Sequence, residues 1–213
     1  INIFNFASKN KIKKLIFSST FTVYGDPKNK TGKMYENDSC SPKSMYGISK
    51  KCCEEYVQSL CSKKNIQWTI LRLFNVYGPG QNIYRTDQGI VGIFINLMKR
   101  KNIIEITGSL DRFKDLIYID DVVDAFILSL NKKANNQIFN VGTGKKTTIS
   151  NLLKKVNNIF EPHNKKNIKV LSAPHGEIKG AYADIKKIKQ ILGFKPKISI
   201  DKGLINFKNY LNF

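Results

Sequence analysis

Two short apolar runs on either side of a helical segment constrain the fold more than any other feature of this sequence. Residues 13–19 (KKLIFSS) and 67–74 (QWTILRLF) are rich in apolar side chains, which is typical of strands buried on both faces of a sheet. Between them, Ser41 and Pro42 supply an N-cap and a proline at the first helical position, which predicts a helix over residues 42–63. Strand, helix and strand in this order predict a right-handed parallel crossover and a doubly wound α/β sheet.

The rest of the chain continues the alternation of helices and strands. Residues 1–10 resemble the end of a helix, and the further elements follow from apolar periodicity and from glycine and proline positions. Helices are predicted over residues 89–100, 120–131, 148–160, 184–192 and 201–211, and strands over 103–107, 116–119, 137–141 and 168–171. The C-terminal third therefore forms a smaller α/β segment that packs against the sheet.

Lysine carries most of the positive charge. The 213 residues include 36 Lys and Arg against 16 Asp and Glu, a formal net charge of +20, and only four of the basic residues are arginine. Nucleic-acid sites favour arginine and cluster charge on one face with stacking aromatic rings. The dispersed lysine pairs, such as Lys50-Lys51 and Lys154-Lys155, instead predict solvated faces, no nucleic-acid partner and an attraction for anionic small molecules.

Cysteine usage and hydropathy predict a soluble cytosolic protein. The four cysteines form no C-x-x-C pair, and the adjacent Cys52 and Cys53 would point to different faces of a helix, so we expect reduced thiols and no metal site. No window reaches the roughly 18 to 20 uncharged apolar residues of a membrane helix, and the N-terminus lacks a signal-peptide layout. No membrane partner is expected.

Polar side chains stand where two neighbouring strands end. Ser18, Ser19 and Thr20 follow the first apolar run, and Asn75 follows the second. Because ligands of open parallel sheets bind beyond the carboxyl ends of the strands, these residues are candidates for a binding site.

Tyr46 and Lys50 form a second candidate constellation at the start of the predicted helix. A spacing of four places the phenol and the ammonium on one helix face, and a cation beside a phenol favours the phenolate. By itself this spacing has little specificity in a chain with so many lysines.

The ordered set of motifs is far more specific than any one of them. These motifs are FSSTFTVYG at 17–25, YGISK at 46–50, RLFNVYGPG at 72–80, DLIYIDDV at 115–122, NVGTG at 140–144 and AD at 183–184. Together they resemble the extended short-chain dehydrogenase/reductase family, in particular its NAD-dependent nucleotide-sugar epimerases and dehydratases of UDP-glucose 4-epimerase type. The resemblance covers nearly the whole chain.

The resemblance implies a Rossmann-type sheet and NAD as the cofactor. The family begins with a glycine-rich turn that holds the cofactor pyrophosphate, and no such motif precedes Thr20, so we expect this sequence to be part of a longer enzyme and inactive alone. Residues 1–80 would form the latter half of the NAD-binding domain. Residues 81–213 would be mainly a substrate-binding segment, with 116–141 returning to the Rossmann sheet. A free parallel-sheet edge and aggregation of the isolated chain are expected.

Family roles carry over residue by residue. Tyr46 would be the catalytic base, Lys50 would hold the nicotinamide ribose, and Thr20 would hydrogen-bond the reacting hydroxyl. The implied cofactor-binding residues are Ser18, Ser19, Tyr46, Lys50 and Phe74, and the implied substrate-binding residues are Thr20, Asn75, Arg112, Lys114, Glu177 and Ala181. Gly142-Thr143-Gly144 only imitates a phosphate-binding loop, because Phe139 and Lys146 replace its required glycine and Ser/Thr.

The implied reaction is NAD-dependent epimerisation at C4 of a nucleotide-activated sugar of the UDP-glucose or UDP-N-acetylglucosamine type, through a transient 4-keto intermediate. Family dehydratases carry Asp-Glu directly after the catalytic Thr, where this chain has Phe21-Thr22. The alternatives are a 4-ketoreductase or dehydratase of the same family, or a noncatalytic fragment that cannot hold NAD.

Departures from the family pattern bear on the substrate. Lys114 replaces a usual arginine, and the segment from Pro174 to Glu177 lacks a phosphate-binding arginine, which leaves the nucleotide open. Ala181 falls where side-chain size gates N-acetylated sugars, so acceptance of 2-acetamido sugars is expected. The only macromolecular partner implied is a second copy of the chain, through a helix pair that includes the Tyr46 helix.

Overall fold

A computed structural model describes residues 2–85, 89–164, 166–172 and 179–212. Its helices are α1 Asn2–Lys9, α2 Met45–Lys63, α3 Ile90–Arg100, α4 Ile119–Leu128, α5 Ile149–Phe160, α6 Lys186–Leu192 and α7 Ile200–Tyr210. Its strands are β1 Lys14–Thr20, β2 Lys33–Met34, β3 Gln67–Leu73, β4 Asn75–Tyr77, β5 Ile103–Thr107, β6 Phe113–Lys114, β7 Leu116–Tyr118, β8 Gln137–Val141, β9 Thr147–Thr148, β10 Asn167–Leu171 and β11 Gly180–Ala183. Short 3-10 helices cover Phe21–Tyr24 and Lys132–Ala134.

The predicted parallel crossover is confirmed. Strands β1 and β3 pair in parallel over their full length, with Lys14 opposite Gln67 and Thr20 opposite Leu73, and α2 connects them. Strand β8 adds on the other side of β3, which gives the order β1-β3-β8. Among the described strands, β1 therefore has a neighbour on one side only. The carboxyl ends of β1 and β3 lie at the same edge of this sheet.

Helices cover both faces of the sheet, which confirms the doubly wound architecture. On one face, Cys61 of α2 and Trp68 and Ile70 of β3 pack with Ala7 of α1. On the other face, an apolar cluster joins β3 and β8 to α4 and α6. Uninterrupted apolar strands are the expected consequence of burial on both sides.

Helix α2 begins three residues later than predicted. Its N-cap is Ser44, whose hydroxyl accepts a hydrogen bond from the Gly47 amide at 3.0 Å, so the expectation of a cap at Ser41 was wrong. Pro42 removes an amide and holds Ser41 extended, and Ser44 then satisfies the free amides of the first turn. The shift places Tyr46 in the first turn of the helix.

Short strands build the remainder of the molecule. The strands predicted over 103–107, 116–119 and 168–171 are present as β5, β7 and β10; β7 pairs in parallel with β4, and β10 pairs in parallel with β5. The sequence did not reveal β4, nor β2, β11, β6 and β9, which form a further four-stranded sheet. The largest apolar cluster joins α3, α5 and α7 beside these strands. The division of the chain at residue 80 remains a prediction.

In the described part of the chain, no helix combines the length and apolar character needed to cross a bilayer.

Candidate active site

A cleft of about 580 Å³ opens at the carboxyl ends of β1 and β3. This is the edge at which the sequence predicts a site. Its described lining consists of Thr20, Phe21, Thr22, Tyr46, Phe74, Asn75, Val76, Gly89, Ile90, Val91 and Leu116. Four residues singled out from the sequence, Thr20, Tyr46, Phe74 and Asn75, therefore share one cleft.

Thr20 lies where β1 turns into a 3-10 helix. Its hydroxyl accepts a hydrogen bond from the Thr22 amide at 3.2 Å and lies 3.1 Å from the Thr22 hydroxyl. A threonine at this point caps the turn, as polar side chains commonly do. Both hydroxyls reach the cleft, so the site offers a pair of adjacent hydrogen-bonding groups.

Tyr46 and Lys50 share one face of α2, as their spacing predicts. The Lys50 Nζ lies 5.8 Å from the centre of the Tyr46 ring and 4.9 Å from that of Phe17. It donates a hydrogen bond to the Ser18 carbonyl at 2.8 Å, which ties the ammonium to the end of β1. Tyr46 is 55% exposed, so its phenol is accessible from the cleft.

Gly47 allows α2 to approach the turn after β1. A Cβ built on Gly47 would lie 2.8 Å from the Thr22 carbonyl oxygen, closer than real side chains approach. Sequence reasoning missed this role, although a glycine in the first turn of a helix, where it costs stability, was an available signal.

The residues predicted to bind the cofactor differ in where they lie relative to the cleft. Ser18 is exposed and offers its carbonyl to Lys50. Ser19 does not face the cleft: its hydroxyl is buried and donates to Glu54 Oε1 at 2.5 Å. Phe74 is buried and stacks on Phe21 with ring centres 5.0 Å apart, so the two rings form an apolar wall of the cleft.

A buried ion pair lies directly behind the site. Arg72 of β3 donates from Nη2 to Glu54 Oε2 at 2.7 Å and from Nε to Glu54 Oε1 at 3.0 Å. Burial lowers the pKa of Arg72, but the hydrogen bond and charge of Glu54 raise it more, so the net pKa lies above its ordinary value. Sequence reasoning missed Glu54, although its spacing of four from Lys50 places it on the same helix face.

Asn75 lies next to a carboxylate that organises the surrounding loops. Its amide Nδ2 donates to the Asp115 carbonyl at 3.0 Å. The Asp115 side chain accepts bonds from the backbone amides of Thr143, Gly144 and Ala183 at 2.8 to 3.0 Å. Those amides are already bonded within the protein, which agrees with the prediction that this glycine-containing loop is not a phosphate site.

Arg112 and Lys114 line a separate cleft of about 220 Å³. The two clefts share Ile90 in their walls, so they are neighbours on the surface. Arg112 donates from Nε to the Ser109 carbonyl at 3.0 Å. Burial lowers the pKa of Lys114, and the charge of Arg112 lowers it further.

The structure does not place Ala181 in the cleft lining. Its side chain is 7% exposed and packs with Val23, Tyr24 and Met34 beneath Phe74. Ala181 can therefore affect the cleft only through its neighbours. Glu177, like His175, lies outside the described residues.

The described residues fit one end of a dinucleotide cofactor. Lys50 supplies an ammonium at the end of β1 beside the cleft, where it could bind the hydroxyls of a ribose. The 213 residues contain no glycine-rich turn of the kind that binds a pyrophosphate.

Comparison with known proteins agrees with this arrangement. Residues 1–142 match the model of the NAD dependent epimerase/dehydratase family. The chain belongs to that family. It is 34% identical over 197 residues to the dTDP-4-dehydro-6-deoxyglucose reductase of Escherichia coli, with 92% of this chain and 60% of the relative covered.

Solved structures of family members have the same fold. The UDP-glucose 4-epimerase of Thermotoga maritima, solved with UDP-glucose, superposes with a TM-score of 0.88 at 34% identity, covering 99% of this chain and 67% of that one. The UDP-N-acetylglucosamine 4-epimerase of Methanobrevibacter ruminantium M1, solved with UDP-N-acetylmuramic acid, gives 0.88 at 29% identity, with 99% and 66% covered. The chain thus spans about 60 to 67% of the length of these relatives. The family is NAD-dependent and acts on nucleotide sugars.

Proposed function

We propose that the full-length protein catalyses NAD-dependent epimerisation at C4 of a nucleotide-activated sugar. The observation that carries this proposal is the meeting of Thr20 and Tyr46 in one cleft, with the Lys50 ammonium held beside the Tyr46 ring. A phenol, a hydroxyl and a cation at one point suit proton removal from an alcohol.

Each residue of the site has a chemical role in this proposal. Tyr46, beside the Lys50 ammonium, accepts the proton of the C4 hydroxyl. Thr20 hydrogen-bonds the same hydroxyl and relays the proton. NAD, when bound, supplies the hydride chemistry that converts the sugar to a 4-keto form and back. Lys50 also orients the ribose of that cofactor.

The cleft lining supports an uncharged sugar of the UDP-glucose or UDP-N-acetylglucosamine type. The described lining combines the hydroxyls and amide of Thr20, Thr22, Tyr46 and Asn75 with apolar walls, and it contains no lysine or arginine. A sugar carboxylate would meet no cation in this lining, and the nearby Lys50 ammonium is bonded to the Ser18 carbonyl. Arg112 and Lys114 line the neighbouring cleft, and in this proposal they bind the anionic diphosphate.

A 4-ketoreductase is the second candidate, and the identity to the Escherichia coli reductase supports it. It would use the same three residues, with Tyr46 delivering rather than removing the proton. A dehydratase is less well supported, because Phe21 is packed on Phe74 and Thr22 hydrogen-bonds to Thr20, which leaves no acid or base at those positions.

The test is turnover of UDP-glucose and UDP-N-acetylglucosamine by the NAD-loaded full-length protein. Tyr46→Phe should lower kcat at least about 100-fold and leave the dissociation constant of NAD unchanged. Tyr210→Phe, at an exposed tyrosine of α7, is the matched control and should keep wild-type rates. Turnover by Tyr46→Phe at the wild-type rate would refute the assigned base. Reduction of a 4-keto sugar without epimerisation would favour the reductase.

The proposal includes a homodimer in the cytoplasm. Helix α2 exposes Met45, Ile48, Cys52 and Tyr56, which recur every three or four residues on one face, and a second copy could cover them. Exposed unpaired cysteines suit a reducing compartment. Sedimentation of the full-length protein should show a dimer that Tyr56→Glu dissociates and Tyr210→Glu does not. A wild-type monomer would contradict the dimer.

A further inference from the structure

The candidate active site is assembled from two elements that are joined behind the reacting groups. Thr20 belongs to β1, whereas Tyr46 and Lys50 belong to α2. Two hydrogen bonds connect these elements beside the cleft: Lys50 Nζ to the Ser18 carbonyl at 2.8 Å, and Ser19 Oγ to Glu54 Oε1 at 2.5 Å. The second bond comes from Ser19, which directly precedes Thr20 in β1.

Glu54 lies one helical turn after Lys50 and two turns after Tyr46, so all three share one face of α2. Its side chain is 0% exposed. Besides Ser19 of β1, it is bonded through both oxygens to Arg72 of β3. One carboxylate on the helix thus holds donors from two adjacent strands.

Arg72 is itself fixed on its other side. Its Nη1 donates to the Glu36 carbonyl at 3.2 Å, and its guanidinium lies 4.6 Å from the centre of the Tyr24 ring. A buried carboxylate that loses its donors is left uncompensated, so α2 cannot slide along the sheet without disrupting these bonds.

We propose that Glu54 is a positioning residue. Through its hydrogen bond with Ser19, it fixes the position of Tyr46 and Lys50 of α2 along β1, relative to Thr20. This inference rests on the proposed function. Misplacement of reacting groups by about 1 Å can lower a rate by about 100-fold. Loss of the Ser19 bond removes one of the two hydrogen bonds that tie α2 to the end of β1, and leaves the bond from Lys50 to the Ser18 carbonyl to hold the helix there.

An ion pair that only stabilises the core would contain the same contacts, so the test must separate positioning from stability. Ser19→Ala removes the link to β1 while leaving the pair between Glu54 and Arg72 in place. Ser129→Ala is the matched control, because the Ser129 hydroxyl is also buried and donates one hydrogen bond, to the Ala125 carbonyl at 2.7 Å. Ser129 ends α4 and does not line the cleft.

The experiment measures kcat, KM, NAD affinity and the melting temperature of the full-length protein. We expect Ser19→Ala to lower kcat about 10- to 100-fold with KM and the NAD dissociation constant unchanged. Ser19→Thr, which restores the hydroxyl, should recover kcat.

Ser129→Ala should lower the melting temperature about as much as Ser19→Ala does, without changing kcat. If Ser19→Ala retains the wild-type kcat, or changes only the melting temperature, the positioning role is wrong while the proposed function stands. A weaker NAD affinity in Ser19→Ala would instead assign Ser19 to cofactor binding and overturn the inference. Absence of turnover in the wild type would overturn the proposed function, and this inference with it.

Discussion

Gly47 packs directly against the backbone carbonyl of Thr22. The glycine lies in the first turn of α2, between Tyr46 and the rest of the helix, and a Cβ there would lie 2.8 Å from the carbonyl oxygen. Because Thr22 follows Thr20 through a short 3-10 turn, this contact sets the distance between the two sides of the cleft. The lack of a side chain at Gly47 thus allows the close contact that sets the position of Tyr46 relative to Thr20.

Gly47→Ala should therefore reduce both stability and activity. Overpacking against a backbone atom costs about 1 to 3 kcal/mol, and alanine recovers only about 1 kcal/mol of helix propensity. We expect the free energy of unfolding to fall by up to about 2 kcal/mol and kcat to fall at least about tenfold. Denaturant unfolding and turnover by the full-length protein measure the two effects.

Gly92→Ala provides the control for this substitution. Gly92 is also helical, but a Cβ there would meet the Gln81 side chain at 3.3 Å, and a side chain can move where a carbonyl cannot. Stability should stay the same or rise. Equal losses of stability and activity in Gly47→Ala and Gly92→Ala would show that the close contact of α2 with the Thr22 carbonyl does not cause the effect.

The sequence was sufficient to predict the frame of the molecule and four of the residues that line the cleft. Parallel strands that end in polar residues, and a tyrosine and a lysine four residues apart, are local patterns, so the meeting of Thr20, Tyr46 and Asn75 followed from topology. The remaining features depend on partners distant in the chain. Ser19 donates to a carboxylate 35 residues away, and nothing in its local sequence distinguishes a hydroxyl that faces a cofactor from one that faces the core.

The start of α2 illustrates a second limit. The prediction placed the helix start at Ser41-Pro42, whereas the N-cap is Ser44, and the choice between serines three residues apart depends on the path of the preceding loop rather than on local sequence. Short strands such as β2, β6 and β9 have only two residues each. Two residues carry no period, so pairing with distant strands alone defines them.

The full-length protein should discriminate against charged sugars. The described cleft lining contains hydroxyl, amide and apolar groups but no basic side chain, and the Lys50 ammonium beside it is bonded to the Ser18 carbonyl, so a sugar carboxylate would lose hydration with little compensation. We expect kcat/KM for UDP-glucuronate to be at least about tenfold below that for UDP-glucose, which corresponds to about 1.4 kcal/mol. The two substrates share the nucleotide and diphosphate, so UDP-glucose is the matched control for UDP-glucuronate. Equal values would show that the cleft accepts anions.

Lys114 should make binding of the substrate diphosphate weaken at a lower pH than an ordinary lysine would. Burial and the charge of Arg112 lower the pKa of Lys114, so its ammonium is present below that lowered value and is lost as the pH rises through it. Binding of an anionic diphosphate should therefore weaken at a lower pH than for an ordinary lysine. We expect kcat/KM, which reports groups of the free enzyme, to fall on the alkaline side.

Lys114→Arg should remove this alkaline fall, because guanidinium stays charged across the range. Lys114→Met should lower kcat/KM about tenfold or more at neutral pH with a much smaller change in kcat. An alkaline limb that persists in Lys114→Arg would assign the titration to another group.

Ala181 should affect the choice between N-acetylated and plain sugars indirectly. Its side chain packs in the cluster beneath Phe74, which with Phe21 forms the apolar wall of the cleft. Ala181→Leu adds volume where none is free, at a cost of about 1 to 3 kcal/mol in stability, and the strain can be relieved by moving Phe74 towards the cleft.

We expect the wild type to convert both UDP-N-acetylglucosamine and UDP-glucose, and Ala181→Leu to lose the larger substrate preferentially. The ratio of the two kcat/KM values is the measurement, because a general loss of stability lowers both equally. Wild-type turnover of glucose but not of N-acetylglucosamine would contradict the expectation, and an unchanged ratio in Ala181→Leu would show that Phe74 does not transmit the change.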